Sequence, residues 1–309
     1  EILLGTDFKM YFDNKEFGSN EFAVPGLDIE SGTDFAARLT PRVGIRWDEK
    51  NTLVIAADMI KNFGSAESAY LSEIKPVFYY QFQTPKVTAA AGIFTRDMMH
   101  DDDYSTAFFS ESERFFHNRM NGVLAQYNGK RDSYVEFVCD WEGMYSTLSR
   151  EKFRILLAGR HYLDTFYYGF NYSMFHYAGQ QGAPIENVVD LQLLNPCVGV
   201  RFNAFFDFDI KLGALLTAQR DRSFGHSWEK PCMGEFAFRI SRWGLSLDER
   251  LYVGDNITLP NSAIILYSTT EFTRDNSAKY PVGKKVMLDL SAAQYAPYGN
   301  LRELKNVVV

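Results

Sequence analysis

The chain has 309 residues, of which 46% are apolar and 16% aromatic, a composition that excludes a disordered chain, a collagen-like chain and a disulfide-stapled miniprotein. The formal net charge of −7 argues against nucleic acid as the main partner. No apolar run reaches the roughly 18–20 residues of a spanning helix, whereas a spanning β-barrel stays possible because its signal is weaker in each segment. The start Glu1-Ile2-Leu3-Leu4, without Met or a basic stretch, leads us to expect a processed, exported protein.

Period-two alternation is the dominant pattern along the chain and predicts a succession of β-strands. Phe35–Trp47, for example, has Leu39 and Val43 on one face and Arg38 and Arg42 on the other. The same alternation predicts strands at Glu73–Phe82, Lys86–Arg96, Ser133–Trp141, Lys152–Tyr162, Phe166–His176 and Phe208–Ala218. At about 10–13 residues these strands are longer than usual and suit a tilted crossing of a bilayer.

Short and long connections alternate between these strands. The short ones carry turn residues, as in Gln83-Thr84-Pro85 and Asn128-Gly129. The main long ones are residues 13–33, 97–118, 178–187 and 221–231. Short turns at one rim and long external loops at the other are typical of transmembrane barrels.

The pattern predicts an all-β fold: a closed, antiparallel, up-and-down transmembrane β-barrel that forms a single domain over residues 1–309. We expect about 16 strands, including Ala263–Phe272, Lys285–Ala292 and a closing stretch near Leu304–Val309, or roughly 14 if residues 254–284 form one loop. A soluble two-sheet sandwich would show alternation too, but it gives no reason for sorted loops or for aromatic residues near strand ends.

Charged residues in the middle of the polar strand faces are expected to line the lumen. The predicted pore-lining residues are Arg38, Arg42, Arg46, Asp58, Lys75, Glu136, Asp140, Arg154, Lys211, Glu235 and Arg239. A ladder of arginines would attract anions, and structural pairing with carboxylates on neighbouring strands is the alternative reading.

The loop 97–118 is acidic and is predicted to constrict the lumen. Its candidate constriction residues are Asp97, Asp101, Asp102 and Asp103. With His100 nearby the cluster could also bind a hard cation such as calcium, but EF-hand spacing is absent, and a solvated acidic loop is the simpler reading, so we expect no metal.

Several short segments resemble outer-membrane β-barrel proteins of Bacteroidota, in the manner of porins. These segments are Ile74-Lys75-Pro76-Val77-Phe78-Tyr79-Tyr80, Gly179-Gln180-Gln181-Gly182 with Glu186-Asn187-Val188-Val189-Asp190, and Leu251-Tyr252-Val253-Gly254-Asp255-Asn256. The resemblance implies a barrel in the outer membrane of a Gram-negative bacterium, in contact with outer-membrane lipid or lipopolysaccharide. It implies no substrate and no catalytic set.

The favoured function is passive diffusion of small hydrophilic solutes through a porin-like channel, since a barrel of about sixteen strands leaves an aqueous path. The first alternative is a non-conducting barrel that assists or assembles with partner proteins in an envelope complex.

An outer-membrane lipid hydrolase is the third and least favoured hypothesis. His161 and His176 fall on the apolar faces of adjacent strands, with Ser146 and Ser149 in a nearby loop. There is no Gly-x-Ser-x-Gly elbow, Walker A, dinucleotide fingerprint or HExxH motif, so we expect neither an enzyme nor a cofactor.

Overall fold

The fold is an all-β, antiparallel, up-and-down sheet. The computed structural model describes residues 1–15, 32–66, 69–105, 107–109, 111–182, 188–222, 227–243, 245–254, 285–290 and 293–295, with side chains described up to residue 243 except at a few positions. The strands are β1 Ile2–Lys15, β2 Gly32–Trp47, β3 Asn51–Asn62, β4 Glu73–Gln83, β5 Val87–Thr95, β6 Arg119–Asn128, β7 Tyr134–Gly143, β8 Arg150–Leu163, β9 Phe166–Gln180, β10 Val189–Asn203, β11 Asp207–Asp221, β12 Cys232–Arg242, β13 Leu245–Gly254, β14 Lys285–Leu290 and β15 Ala293–Tyr295. Each strand pairs with the next in the sequence.

The predicted strand positions agree with the structure to within a few residues. The alternation in Phe35–Trp47 lies within β2, and that in Phe166–His176 lies within β9, which runs four residues further. The outward faces of these strands are largely apolar, whereas their inward faces carry both charged and apolar residues.

The strand number and the closure are not as predicted. The structure has fifteen strands in its described residues: β1–β13 have nine or more residues each, whereas β14 and β15 have six and three. Among the described residues β1 pairs with β2 alone, so the sheet is not closed. The predicted strand 263–272 and closing stretch 304–309 lie outside the described residues, as do parts of the loops 13–33, 178–187 and 221–231.

The outward faces of the strands are also apolar over much of their length. On β10, Leu191 and Leu193 are fully buried inside, whereas Leu194 and Val198 face outward with 36% and 57% of their surface exposed. The outer wall is therefore a broad apolar surface of the kind that contacts lipid.

The long connection between β5 and β6, residues 96–118, turns into the interior and is called the inward segment. It contains two 3₁₀ turns, Arg96–Met98 and Asp101–Asp103, and a six-residue helix, Glu111–Phe116. No helix in the described part of the chain is long and apolar enough to cross a membrane.

The hydrophobic core lies between the inward segment and the inner faces of β5–β12. Tyr104, Phe108 and Phe109 of the segment are at most 1% exposed and pack among residues of the wall such as Phe94 and Phe175. At the level of this cluster the interior is therefore filled by packed side chains.

Candidate functional site

The predicted lumen residues do lie on the inner faces of the strands, and most of them are buried. Those at most 8% exposed are Arg38, Asp58, Glu136, Asp140, Arg154, Lys211 and Glu235. Arg46 and Lys75 are half-buried, and Arg42 and Arg239 are exposed.

Cross-strand pairing accounts for much of this inward charge. Arg38 donates from Nε to Asp58 Oδ1 at 2.5 Å and from Nη2 to Oδ2 at 3.1 Å. Lys211 lies 3.2 Å from Glu235. Of the two readings, structural pairing describes these two buried pairs, and the role of the predicted residues as a pore lining stays a prediction.

Three of the four predicted constriction residues are each held by a cation. Lys9 lies 2.5 Å from Asp97, Arg114 lies 3.1 Å from Asp101, and Arg160 lies 2.5 Å from Asp103. The side chain of Asp102 lies outside the described residues. Among the described residues, no three His, Cys, Asp or Glu side chains converge into a metal site.

Burial alone would raise the pKa of Asp97, but hydrogen bonds from Lys9 and Asn118 outweigh burial and hold this pKa below its ordinary value. Asp97 is therefore ionised near neutral pH and ties the start of the segment to β1.

Glu136 on β7 anchors the middle of the inward segment. Its carboxylate accepts the backbone N–H of His100 at 2.8 Å, the hydroxyl of Tyr104 at 3.1 Å and the amide of Gln126 at 2.6 Å. The His100 ring also stacks on Tyr134, with centroids 3.7 Å apart. These contacts fix the segment to the wall.

A polar cavity of about 1490 Å³ lies below the inward segment, toward the rim of short turns. Its walls include Arg160, Arg201 and Lys211, each of which is paired with a carboxylate. Tyr167 also lines it and donates to Asp209 at 2.6 Å. These three cations and this tyrosine are therefore each engaged by a carboxylate in the cavity wall.

A different set of side chains forms a continuous row on the outer wall, near the rim of long loops. Its members are direct cross-strand partners on β7 to β11: Trp141, Phe153, His176, Asp190 and Arg220. Alternation places all of them outward, because their strand neighbours Asp140, Arg154, Phe175, Val189 and Gln219 are buried inside. This set is called the outer row.

At the centre of the outer row, a histidine is held by a carboxylate. His176 Nδ1 lies 2.8 Å from Asp190 Oδ1, and their side chains are 24% and 14% exposed. The other carboxylate oxygen of Asp190 accepts Arg220 at 2.5 Å and Arg222 at 3.0 Å. Arg220 in turn lies over the ring of Trp228, 4.4 Å from its centroid.

This arrangement has the parts of a general base with an orienting carboxylate. With Nδ1 directed at Asp190, Nε2 is the ring nitrogen available for proton transfer. The two arginines add positive charge beside it, which suits an anionic group or a developing oxyanion.

His176 faces outward, as expected, and its partner is Asp190, a residue that the sequence did not place beside it. His161 lies two residues from the end of β8 at the short-turn rim, whereas the outer row lies near the rim of long loops. The His161 ring contacts Tyr168. Ser146 and Ser149 hydrogen-bond to each other in the turn between β7 and β8. In the described part of the chain neither serine hydrogen-bonds to His176, whose side-chain partner is Asp190.

The chain was compared with known families and solved structures. A family model described as lipid A 3'-O-deacylase-type matches residues 1–279. No curated protein matches the chain. A structure of OmpT, an outer-membrane protein of Vibrio cholerae, matches with a TM-score of 0.44 and 8% identity, covering 82% of this chain and 89% of that chain. A mutant Rh. blastica porin matches with a TM-score of 0.34 and 12% identity, covering 82% and 95%. These structural similarities are too low to bear on function.

The family match corrects two expectations. The prediction of a passive porin is wrong, and so is the prediction that the chain is not an enzyme, because the matching family is one of lipid-modifying enzymes. The least favoured hypothesis, an outer-membrane lipid hydrolase, is the one that the match supports. The outer-membrane location is confirmed, and lipopolysaccharide lipid is supported as a partner, whereas small solutes and partner proteins are not.

Proposed function

The chain belongs to the lipid A 3'-O-deacylase-type family, and from that premise we propose that it hydrolyses an ester-linked acyl chain of lipid A at the outer row. The observation that supports this site is the outward-facing pair of His176 and Asp190, 2.8 Å apart. A lipid in the outer leaflet reaches the outer wall of a barrel directly, whereas the hydrophobic core fills the interior around Tyr104, Phe108 and Phe109.

The position of the outer row near the ends of its strands also supports the proposal. Trp141 and Arg220 lie within two residues of the ends of their strands at the rim of long loops. Long loops are external in outer-membrane barrels, so this rim meets the outer leaflet at its headgroups. Water is present at that depth, and hydrolysis requires it. The proposal includes closure of the sheet into one barrel over the whole chain, which would satisfy the backbone groups of the edge strands.

The proposed reaction uses water as the nucleophile. His176 Nε2 takes a proton from a water molecule as its oxygen attacks the ester carbonyl, and Asp190 stabilises the imidazolium that forms. The tetrahedral intermediate then expels the sugar alkoxide, which receives the proton from His176. The products are a free fatty acid and a lipid with one hydroxyl group in place of the ester.

Arg220 and Arg222 would carry the electrostatic part of catalysis. Both guanidinium groups lie beside Asp190, with side chains 19% and 42% exposed, and together they exceed its single negative charge. This excess favours binding of an anionic headgroup and stabilises negative charge on the carbonyl oxygen.

The test is His176→Gln in the full chain, assayed on purified lipid A in mixed micelles by mass spectrometry. We expect a loss of roughly 10²–10⁴-fold in turnover, the usual effect of removing a general base. His161→Gln is the matched control, because it changes another outward histidine, on the neighbouring strand β8, and should keep full activity. Unchanged deacylation in His176→Gln, in a variant that migrates as a folded barrel, would overturn the proposal.

A further inference from the structure

The outer row is apolar on one side of His176 and charged on the other. Trp141 and Phe153 stack with ring centroids 5.1 Å apart and an interplanar angle of 8°. Phe153 then meets His176 at 5.1 Å and 38°. On the other side stand Asp190 and Arg220. The proposed base therefore lies where an aromatic surface changes into a charged one.

Local backbone irregularity accompanies the aromatic pair. The ladder between β7 and β8 shifts register between Trp141 and Gly143, and the ladder between β8 and β9 shifts between Arg150 and Lys152. Bulges of this kind re-aim side chains and are frequent beside active sites. Both shifts lie within three residues of the stacked rings, on either side of β8.

We propose that Trp141 and Phe153 form a platform that holds the acyl chain to be cleaved and selects among acyl chains, an inference that rests on the proposed function. A lipid has one polar end and one apolar end, so the two sides of the outer row admit it in one direction. The headgroup contacts the arginines, the chain lies along the two rings, and the ester between them meets His176.

The platform contributes by orienting the acyl chain and adds little to the affinity for the lipid. Outside the platform an acyl chain contacts other lipid chains, which are as apolar as the rings, so docking on the rings yields little binding free energy. The stacked rings are rigid, however, and they hold the chain and its ester at a fixed distance from the base. Their loss should therefore lower kcat more than it raises KM, and it should weaken the preference for one chain length over another.

The test compares Trp141→Ala, Trp141→Phe and Trp47→Ala in the full chain, with lipid esters that share a headgroup and differ in acyl length. Trp47 is the matched control, because both tryptophans are 44% exposed on the outer wall and each contacts another ring, Tyr80 in the case of Trp47. Trp47 lies at the short-turn rim, far from the outer row along the strand.

We expect Trp141→Ala to reduce kcat roughly tenfold, with KM nearly unchanged, and to flatten the chain-length preference. Trp141→Phe should restore both, because a flat ring is retained. The inference is overturned if Trp141→Ala keeps its kcat and its preference, or if Trp47→Ala changes them equally. A negative result here, with His176→Gln inactive, would leave the proposed function standing, whereas an active His176→Gln would remove both.

Discussion

At the scale of single residues, we expect the loss of either partner of the buried pair Arg38 and Asp58 to be costly. Their side chains are 3% and 2% exposed, and Asp58 also accepts the hydroxyl of Thr40 at 3.1 Å. Asp58→Ala would leave a guanidinium buried without its counter-charge, so we expect the free energy of unfolding to fall by about 3–5 kcal/mol. Urea unfolding in detergent micelles, followed by tryptophan fluorescence, measures this loss.

The matched control is Asp7→Ala, which removes the partner of Arg42. That pair is 2.9 Å apart but 43–48% exposed, so its loss should cost less than about 1 kcal/mol. Equal losses in the two variants would show that burial does not set the strength of these pairs.

At the scale of elements, the inward segment should loosen in acid. Burial alone would raise the pKa of Glu113, but the hydrogen bond from His117 and the charge of Arg96 outweigh it and lower this pKa. A carboxyl with a lowered pKa stabilises the folded state above its ordinary pKa of about 4.3, and the stabilisation is lost as pH falls through the lowered value. We expect hydrogen-exchange protection of residues 96–118, normalised to intrinsic rates, to fall below pH ~4.

Glu113→Gln should remove part of the pH dependence of this protection, because the glutamine side chain has a similar shape and does not titrate. The variant would show reduced protection already at neutral pH and a smaller further loss in acid. Protection that falls equally in both proteins would assign the acid sensitivity to other carboxylates, such as Asp97.

The strands were predictable from sequence, and their register across long loops was not. The two-residue turn between Leu163 and Phe166 fixes how β8 pairs with β9, so the pairing of Phe153 with His176 could have been counted from it. The connection between β9 and β10 is long and imposes no register. For that reason the pairing of His176 with Asp190, on which the candidate site depends, left no signal in the sequence.

At the scale of the whole molecule, the loss of stability caused by a charged substitution on the outer wall should depend on how deep in the bilayer the substituted residue lies. Val198 lies in the middle of β10 with 57% of its surface exposed, whereas Ile2 lies at the short-turn rim with 75% exposed. Val198→Arg should reduce stability in a lipid bilayer by about 2–4 kcal/mol, because arginine is costly at the midplane.

Ile2→Arg should cost only about 0–1 kcal/mol, since it lies near the interface. Reversible unfolding in phospholipid vesicles measures both values. Equal costs would mean that β10 does not cross the hydrocarbon layer at Val198.

The hydrogen bonds that hold the inward segment against the wall have a consequence for the order in which the sheet assembles. They come from strands far apart in the chain: Arg38 of β2 donates to the carbonyl of Phe115 at 3.2 Å, Glu136 is on β7, and Arg160 is on β8. The segment can therefore make all of these contacts only after the first eight strands have paired. The segment would then act as a template for the sheet, fixing the curvature of the first eight strands before the last strands pair.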